Sequence, residues 1–184
     1  MGRSARALRR EPGRLRAGRK RGARCRGGSV ICEEISDFAA ALPPMTALAG
    51  LDYGDKTIGV AVSDGMRQVA TPLETIRRGK KFTADAEKLL AILEARRISG
   101  IVLGLPRNMD GSEGPRCQKT RAFARNLARL TERPITFWDE RLSTIAAERA
   151  LIEADTSRAK RAGVIDHVAA GYILQGALDR MRHL

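Results

Sequence analysis

The stretch Leu48-Ala49-Gly50-Leu51-Asp52-Tyr53-Gly54-Asp55-Lys56-Thr57-Ile58-Gly59-Val60-Ala61-Val62-Ser63-Asp64 constrains the chain more than any other. Two apolar runs flank a tight polar turn containing Gly54, the pattern of a β-hairpin. A carboxylate, Asp52, falls where the first run ends. A charge at a buried strand end is costly unless a cation or hydrogen-bond donors compensate it. Asp52 is therefore a candidate ligand for a metal or a phosphate-linked group. The alternative is a turn cap bonded to its own backbone.

The hairpin predicts strands over 46–52 and 57–64, and a third apolar stretch over 69–76 follows a Gly-Met-Arg-Gln turn, completing an antiparallel meander. Phe82, Ala86, Leu89, Leu90 and Leu93 recur at helical spacing, so 82–97 reads as an amphipathic helix. Thr83 is its candidate cap, with Asp85 and Glu87 in the first turn favouring the helix dipole. The run 101–105 is almost continuously apolar, as expected of a strand covered on both faces. A Gly-punctuated polar loop follows it, then a helix over 115–131. Residues 135–138 form the last strand, ending on Asp139-Glu140-Arg141. A helix over 143–153, capped by Ser143 or Thr144, a polar basic loop over 154–163 and a final helix over 164–182 complete the pattern. Upstream, Ile35, Phe38, Ala39 and Leu42 predict a short helix within 31–42, stopped by Pro43-Pro44.

The order β-β-β-α-β-α-β-α implies a mixed five-stranded sheet in an α/β domain with helices on both faces. At 184 residues and 43% hydrophobic content, one domain with a substantial core is expected. We divide the chain into a basic tail over 1–28, a short helix and linker over 29–45, and the domain proper over 46–184. The tail contributes +10 of the formal net charge of +13, so the body is only mildly basic. It has too little apolar content to fold alone and is expected to be disordered. Three readings of it stand: an arm that holds nucleic acid through phosphates, an organellar transit peptide, or translation from a codon upstream of the true start. No apolar run is long enough to span a membrane. Three cysteines, Cys25, Cys32 and Cys117, without metal-ligand spacing point to a reduced, cytoplasmic setting. Cys117 opens a helix, where a thiol can become more acidic, but no base partner is identifiable.

Two predicted strands end on carboxylates, Asp52 on one and Asp139-Glu140 on the other, while Asp166 lies near the start of the final helix. Ligands of open α/β sheets bind at the carboxyl ends of the strands. Carboxylates gathered there repel one another, and Mg²⁺ or Mn²⁺, which choose oxygen ligands, relieves that repulsion. Paired ions of this kind cleave phosphodiesters. Each acid also has a plainer reading: Asp139 and Glu140 as surface partners of Arg141 or Arg107, and Asp166 as a complement to the helix dipole.

The hairpin motif Leu51–Asp64 resembles the opening motif of the YqgF (RuvX) family, the Holliday-junction-resolvase-like proteins assigned to pre-16S rRNA cleavage. Gly104-Leu105-Pro106-Arg107-Asn108-Met109-Asp110-Gly111-Ser112-Glu113-Gly114 is similar to its second motif, and Asp139-Glu140-Arg141-Leu142-Ser143-Thr144 to its third. Ser157-Arg158-Ala159-Lys160-Arg161 with Asp166-His167-Val168-Ala169-Ala170 is similar to its fourth. The likeness covers about residues 30–182. It implies an RNase H-like fold, a metal-dependent nuclease, and a role in trimming the 5′ end of precursor 16S rRNA. It also implies a metal site of Asp52, Glu140 (or its neighbour Asp139) and Asp166. Thr57 departs from the Arg that many members carry.

Such an enzyme must hold phosphates. Lys56, Arg107, Arg116, Lys119, Arg141, Arg158, Lys160 and Arg161 are the candidates, with Arg121 close by, and they position a substrate without reading its sequence. Aromatic content of 4% leaves no extended base-stacking platform, so recognition by shape is expected. His167, next to Asp166, points elsewhere on the helix and is expected to be structural or exposed. The expected partners are precursor rRNA, branched DNA and ribosomal precursor particles, with the protein a monomer or weak homodimer. The competing functions are a DNA junction resolvase, a non-catalytic nucleic-acid binder, and, from the Asp-x-Gly hairpin alone, an actin-like ATPase or sugar kinase lobe.

Overall fold

The computed structural model describes Cys25, residues 30–142 and residues 158–184, with the last helix described by its backbone alone as far as residue 165. In chain order the elements are β1 (Ile31–Cys32), α1 (Ile35–Ala40), β2 (Leu48–Tyr53), β3 (Thr57–Ser63), β4 (Ala70–Arg77), α2 (Phe82–Ala95), β5 (Gly100–Leu105), α3 (Pro115–Leu127) and β6 (Ile135–Asp139). A 3₁₀ turn (Glu140–Leu142) follows β6, and α4 (Arg158–Met181) closes the described chain. The predicted helix over 143–153, most of the loop over 154–163, and the tail over 1–28 apart from Cys25 lie outside the described residues.

One sheet carries the six strands in the order β1-β6-β5-β2-β3-β4. The meander β2-β3-β4 is antiparallel, while β5 adds parallel to β2, and β6 parallel to β5. A three-stranded meander extended by parallel strands beside its first strand is the RNase H-like arrangement. The expected strand count of five becomes six because Ile31 and Cys32, read as the start of a helix, pair parallel with Ile135 and Thr136. The Thr136 hydroxyl donates to the Cys32 carbonyl at 3.1 Å, which helps hold this edge. The helix survives in shortened form, and the Phe38 it carries is fully buried.

Alternation along the strands sorts their side chains into two cores. On one face, Ala49, Leu51, Ile58, Val60, Ile101 and Leu103 pack with Leu89 and Leu93 of α2 and Phe123 and Leu127 of α3. On the other, Leu48, Ala61, Val102 and Trp138 pack with Phe38 of α1 and Ile173, Leu174, Ala177 and Leu178 of α4. All six residues of β5 are buried, as its unbroken apolar run requires. Helix α4 crosses β2 so closely that Gly50 has no room for a side chain: a Cβ there would lie 2.6 Å from the Ala170 carbonyl.

Asp64 builds the turn into β4, accepting from the amides of Met66, Gln68 and Val69 at 3.2, 2.7 and 3.0 Å. The β3–β4 pairing then shifts register between Val60 and Ala61, and Pro72 stands opposite Ala61.

Three local expectations need correction. Thr83 does not cap α2; the residue before the helix is Lys81, with no side-chain cap. Asp85 is buried instead and accepts from the Gly79 amide at 2.9 Å. The final helix begins at Arg158, so the predicted loop extends too far and Gly163 is helical. Cys25 and Cys32 are joined by a disulfide, against the expectation of reduced thiols.

Candidate active site

Asp52 lies near the carboxyl end of β2 and is 7% exposed. The alternation that sends Ala49 and Leu51 to the α2–α3 core sends Asp52 to the α4 face. Its neighbours on either side in the sheet are glycines. Gly59 is its antiparallel partner on β3, and Gly104 is the next position beyond the parallel Leu51–Leu103 pair. Both gaps are filled from outside the sheet. A Cβ at Gly59 would lie 1.9 Å from the Asp166 carbonyl oxygen, and one at Gly104 would lie 2.8 Å from Glu140 Oε1. The Asp52 and Glu140 side chains and the main chain at Asp166 thus come to the same end of the same face, from β2, from the turn after β6, and from α4.

The two acids after β6 part company. Glu140 turns over Gly104, towards Asp52. Asp139 is held by Arg141, whose Nη2 approaches to 2.7 Å and Nε to 3.0 Å, with Arg107 Nη1 at 3.7 Å. Those hydrogen bonds from Arg141, its charge, and the Arg107 charge hold the Asp139 carboxyl below its ordinary value. Arg141 is correspondingly a stronger base.

Asp166 sits in the third turn of α4 rather than near its start, so the helix dipole does not explain it. His167 Nδ1 lies 3.1 Å from Thr75 Oγ1 on β4, in keeping with a structural role. Cys117 is buried, its thiol donating to the Pro106 carbonyl at 3.0 Å. Burial, with the Glu113 charge, pushes the thiol up rather than down, reversing the acidification its helix position suggested.

The donor set suits a hard divalent ion, because every candidate ligand is a carboxylate oxygen. The two glycines make a cradle that any side chain would fill. Among the described residues, however, no three acidic, imidazole or thiol groups stand together in a metal-holding arrangement. The fit is that of an ion held by one or two carboxylates, with its remaining positions left to water and substrate phosphate.

The basic candidates divide into groups. Arg107 and Arg141 flank Asp139, and Arg141 also braces the Gly-rich loop, with Nη1 3.4 Å from the Met109 carbonyl. Gly111 in that loop has φ +87, and a Cβ there would meet the Arg141 guanidinium at 3.4 Å. Arg116 is exposed on α3, and Lys119 pairs with Asp55 at 2.8 Å. Lys56 is exposed in the hairpin turn. Arg158, Lys160 and Arg161 occupy the first turn of α4. Sequence reasoning placed Arg121 among the cations but missed its tie to Glu113 at 2.7 Å and to Glu33 at 3.1 Å, and its seat over the Phe137 ring. It also missed Arg77 and Arg78, which the register of β4 brings beside the hairpin turn.

An RNase H-like sheet with carboxylates at the end of its central strand defines the class. The sequence model of the family described as "RuvX: Holliday junction resolvase" matches residues 46–180, and the chain belongs to that family. A Ruegeria pomeroyi protein named "Putative pre-16S rRNA nuclease" is 78% identical over 155 residues, spanning 84% of this chain and 100% of that protein. A Paracoccus denitrificans protein of the same name is 72% identical, spanning 84% of this chain and 98% of that protein. Among solved structures, the chain is similar to Thermus thermophilus RuvC in complex with a Holliday junction substrate. The TM-score is 0.47 at 13% identity, over 74% of this chain and 96% of that one.

Proposed function

We propose that this protein is a divalent-metal-dependent nuclease that hydrolyses phosphodiester bonds of RNA and matures the 5′ end of pre-16S rRNA in the cytoplasm. One observation carries the reading: Asp52 lies between two glycines whose missing side chains admit the main chain of α4 at Asp166 on one side and the Glu140 carboxylate on the other. Family membership and the names of close relatives support the same reaction.

Asp52 and Glu140 are the residues that would hold Mg²⁺ or Mn²⁺, with Asp166 on the adjoining turn of α4, and Asp139, engaged by two guanidinium groups, is not. A bound ion of this kind would supply an activated water and offset charge on the leaving oxygen. Around it the chain does the positioning. Arg107 and Arg141 hold the loop over 106–114 beside the acids and supply positive charge for a phosphate. Asp139 keeps both guanidinium groups oriented.

The test compares the protein with its Asp52→Asn variant on a precursor 16S RNA fragment and on a four-way DNA junction, in Mn²⁺. Circular dichroism checks that the fold is retained. RNA cleavage is expected from the parent and loss to background in the variant. Undiminished cleavage by the variant would refute the assignment. The family's description favours one second reading, a junction resolvase, for which the branched DNA would be the faster substrate. RNA binding without turnover would identify a non-catalytic binder.

A further inference from the structure

A cleft of about 500 Å³ opens beside the β2–β3 hairpin turn, lined by Asp55, Lys56, Thr57, Thr75, Arg77 and Arg78. Of its lining, Thr75 and Arg77 lie on the α4 face, whereas Arg78 packs over Tyr53 on the other. Thr75 is the β4 partner of Gly59, itself the partner of Asp52, so the three occupy one row across the sheet. At ordinary strand spacing this puts Thr75 roughly 10 Å from Asp52. Arg77, opposite Thr57, continues the same face outward.

The charges in this cleft are unequal in their freedom. Asp55 is neutralised by Lys119 at 2.8 Å. Arg78 is fixed: Nη1 donates to the Gly54 and Asp55 carbonyls at 2.7 and 2.9 Å, and the guanidinium lies 4.4 Å over the Tyr53 ring. The Lys56 and Arg77 side chains are exposed and make no hydrogen bond or ion pair among the described residues. Two uncommitted cations, a third fixed one and two threonines make a site for an anion. Its volume is that of a nucleotide-sized ligand. Base stacking is not on offer, because Tyr53 is already sandwiched between Arg78 and Phe123, the latter at 4.3 Å.

We propose that this cleft holds a backbone phosphate of the polynucleotide strand as it leaves the acidic rim towards β4, with Lys56 and Arg77 as its counter-charges and Arg78 as a fixed wall. The inference rests on the nuclease reading for the path of the strand, but its own support is the cleft.

The test measures binding of a single-stranded precursor RNA by the Asp52→Asn protein across a salt series. The double change Lys56→Gln with Arg77→Gln is expected to weaken binding and to lower the slope of log affinity against log salt by about 0.7, the value for one phosphate left unneutralised on a single strand. Arg77→Lys is expected to keep the slope. Arg180→Gln, which removes an exposed charge near the far end of α4, is expected to change nothing. Thermal melting confirms that each variant is folded. An unchanged slope in the double variant overturns the proposal. So does displacement of the RNA by inorganic phosphate alone, which would make the cleft a small-anion site. Cleavage by the parent protein is measured in parallel. Cleavage with an unchanged slope discards the cleft alone, whereas a lowered slope without cleavage discards the nuclease reading and keeps the cleft.

Discussion

The two glycines beside Asp52 are expected to respond very differently to the same added methyl group. At Gly59 the methyl would meet the backbone carbonyl of Asp166 at 1.9 Å, roughly 1.5 Å short of ordinary van der Waals contact. A main-chain oxygen within a helix cannot rotate aside, so α4 must lift from β3. Overpacking of a rigid contact falls at the upper end of the usual cost, about 3 kcal/mol or more. At Gly104 the methyl would meet Ile173 Cδ1 at 2.4 Å and Glu140 Oε1 at 2.8 Å. Both are side-chain ends that can change rotamer, and the cost is about 1 kcal/mol. Urea unfolding measures the difference as a lower midpoint at constant slope. Gly59→Ala should also lower Tm by on the order of 10 °C. Gly104→Ala should instead lose cleavage out of proportion to its stability, because it moves the Glu140 carboxylate. The reasoning fails if Gly59→Ala melts like the parent, or if Gly104→Ala is the less stable of the two.

Asp139 has a depressed folded value because Arg141 hydrogen-bonds it and Arg107 adds charge, so the pair contributes stability in full above about pH 4, the unfolded value. That contribution is lost as pH falls through the lower folded value, so parent and Asp139→Asn should differ above about pH 4 and converge in acid by chemical denaturation. Asp139→Asn should also loosen the loop over 106–114, seen as faster amide exchange at Gly111, whose amide donates to the Asn108 carbonyl. Cys117, buried and pushed up, should react with iodoacetamide at neutral pH at least about tenfold more slowly in the folded protein than in urea; equal rates would contradict its burial.

Most of the fold was legible because local signals agreed with the sheet. The polar turn around Gly54, the helical spacing from Phe82 to Leu93 and the unbroken apolar run at 101–105 each specify an element without tertiary help. The misses come from tertiary contacts. Ile31 and Cys32 become a strand only because β6 offers an edge to pair with. Thr83 loses its capping role because the helix already begins at Phe82, which puts Thr83 inside its first turn. At the site, the motif named both Asp139 and Glu140. Strand alternation separates them, since Trp138 faces α4 and Asp139 faces away. Arg77 and Arg78 carry no motif, and only the β3–β4 register, with its shift at Val60 and Ala61, shows which of them shares a face with Asp52.

That shifted register and Pro72 also govern how the molecule can meet a copy of itself. The imide nitrogen of Pro72 has no hydrogen to offer along the outer margin of β4, and the irregularity beside it twists that margin out of line. The opposite margin, β1, is two residues long among the described residues. Among the described residues both borders are poor templates for a long ladder with a second chain. Among the described residues, a homodimer built on helices or loops would leave the sheet whole inside each copy.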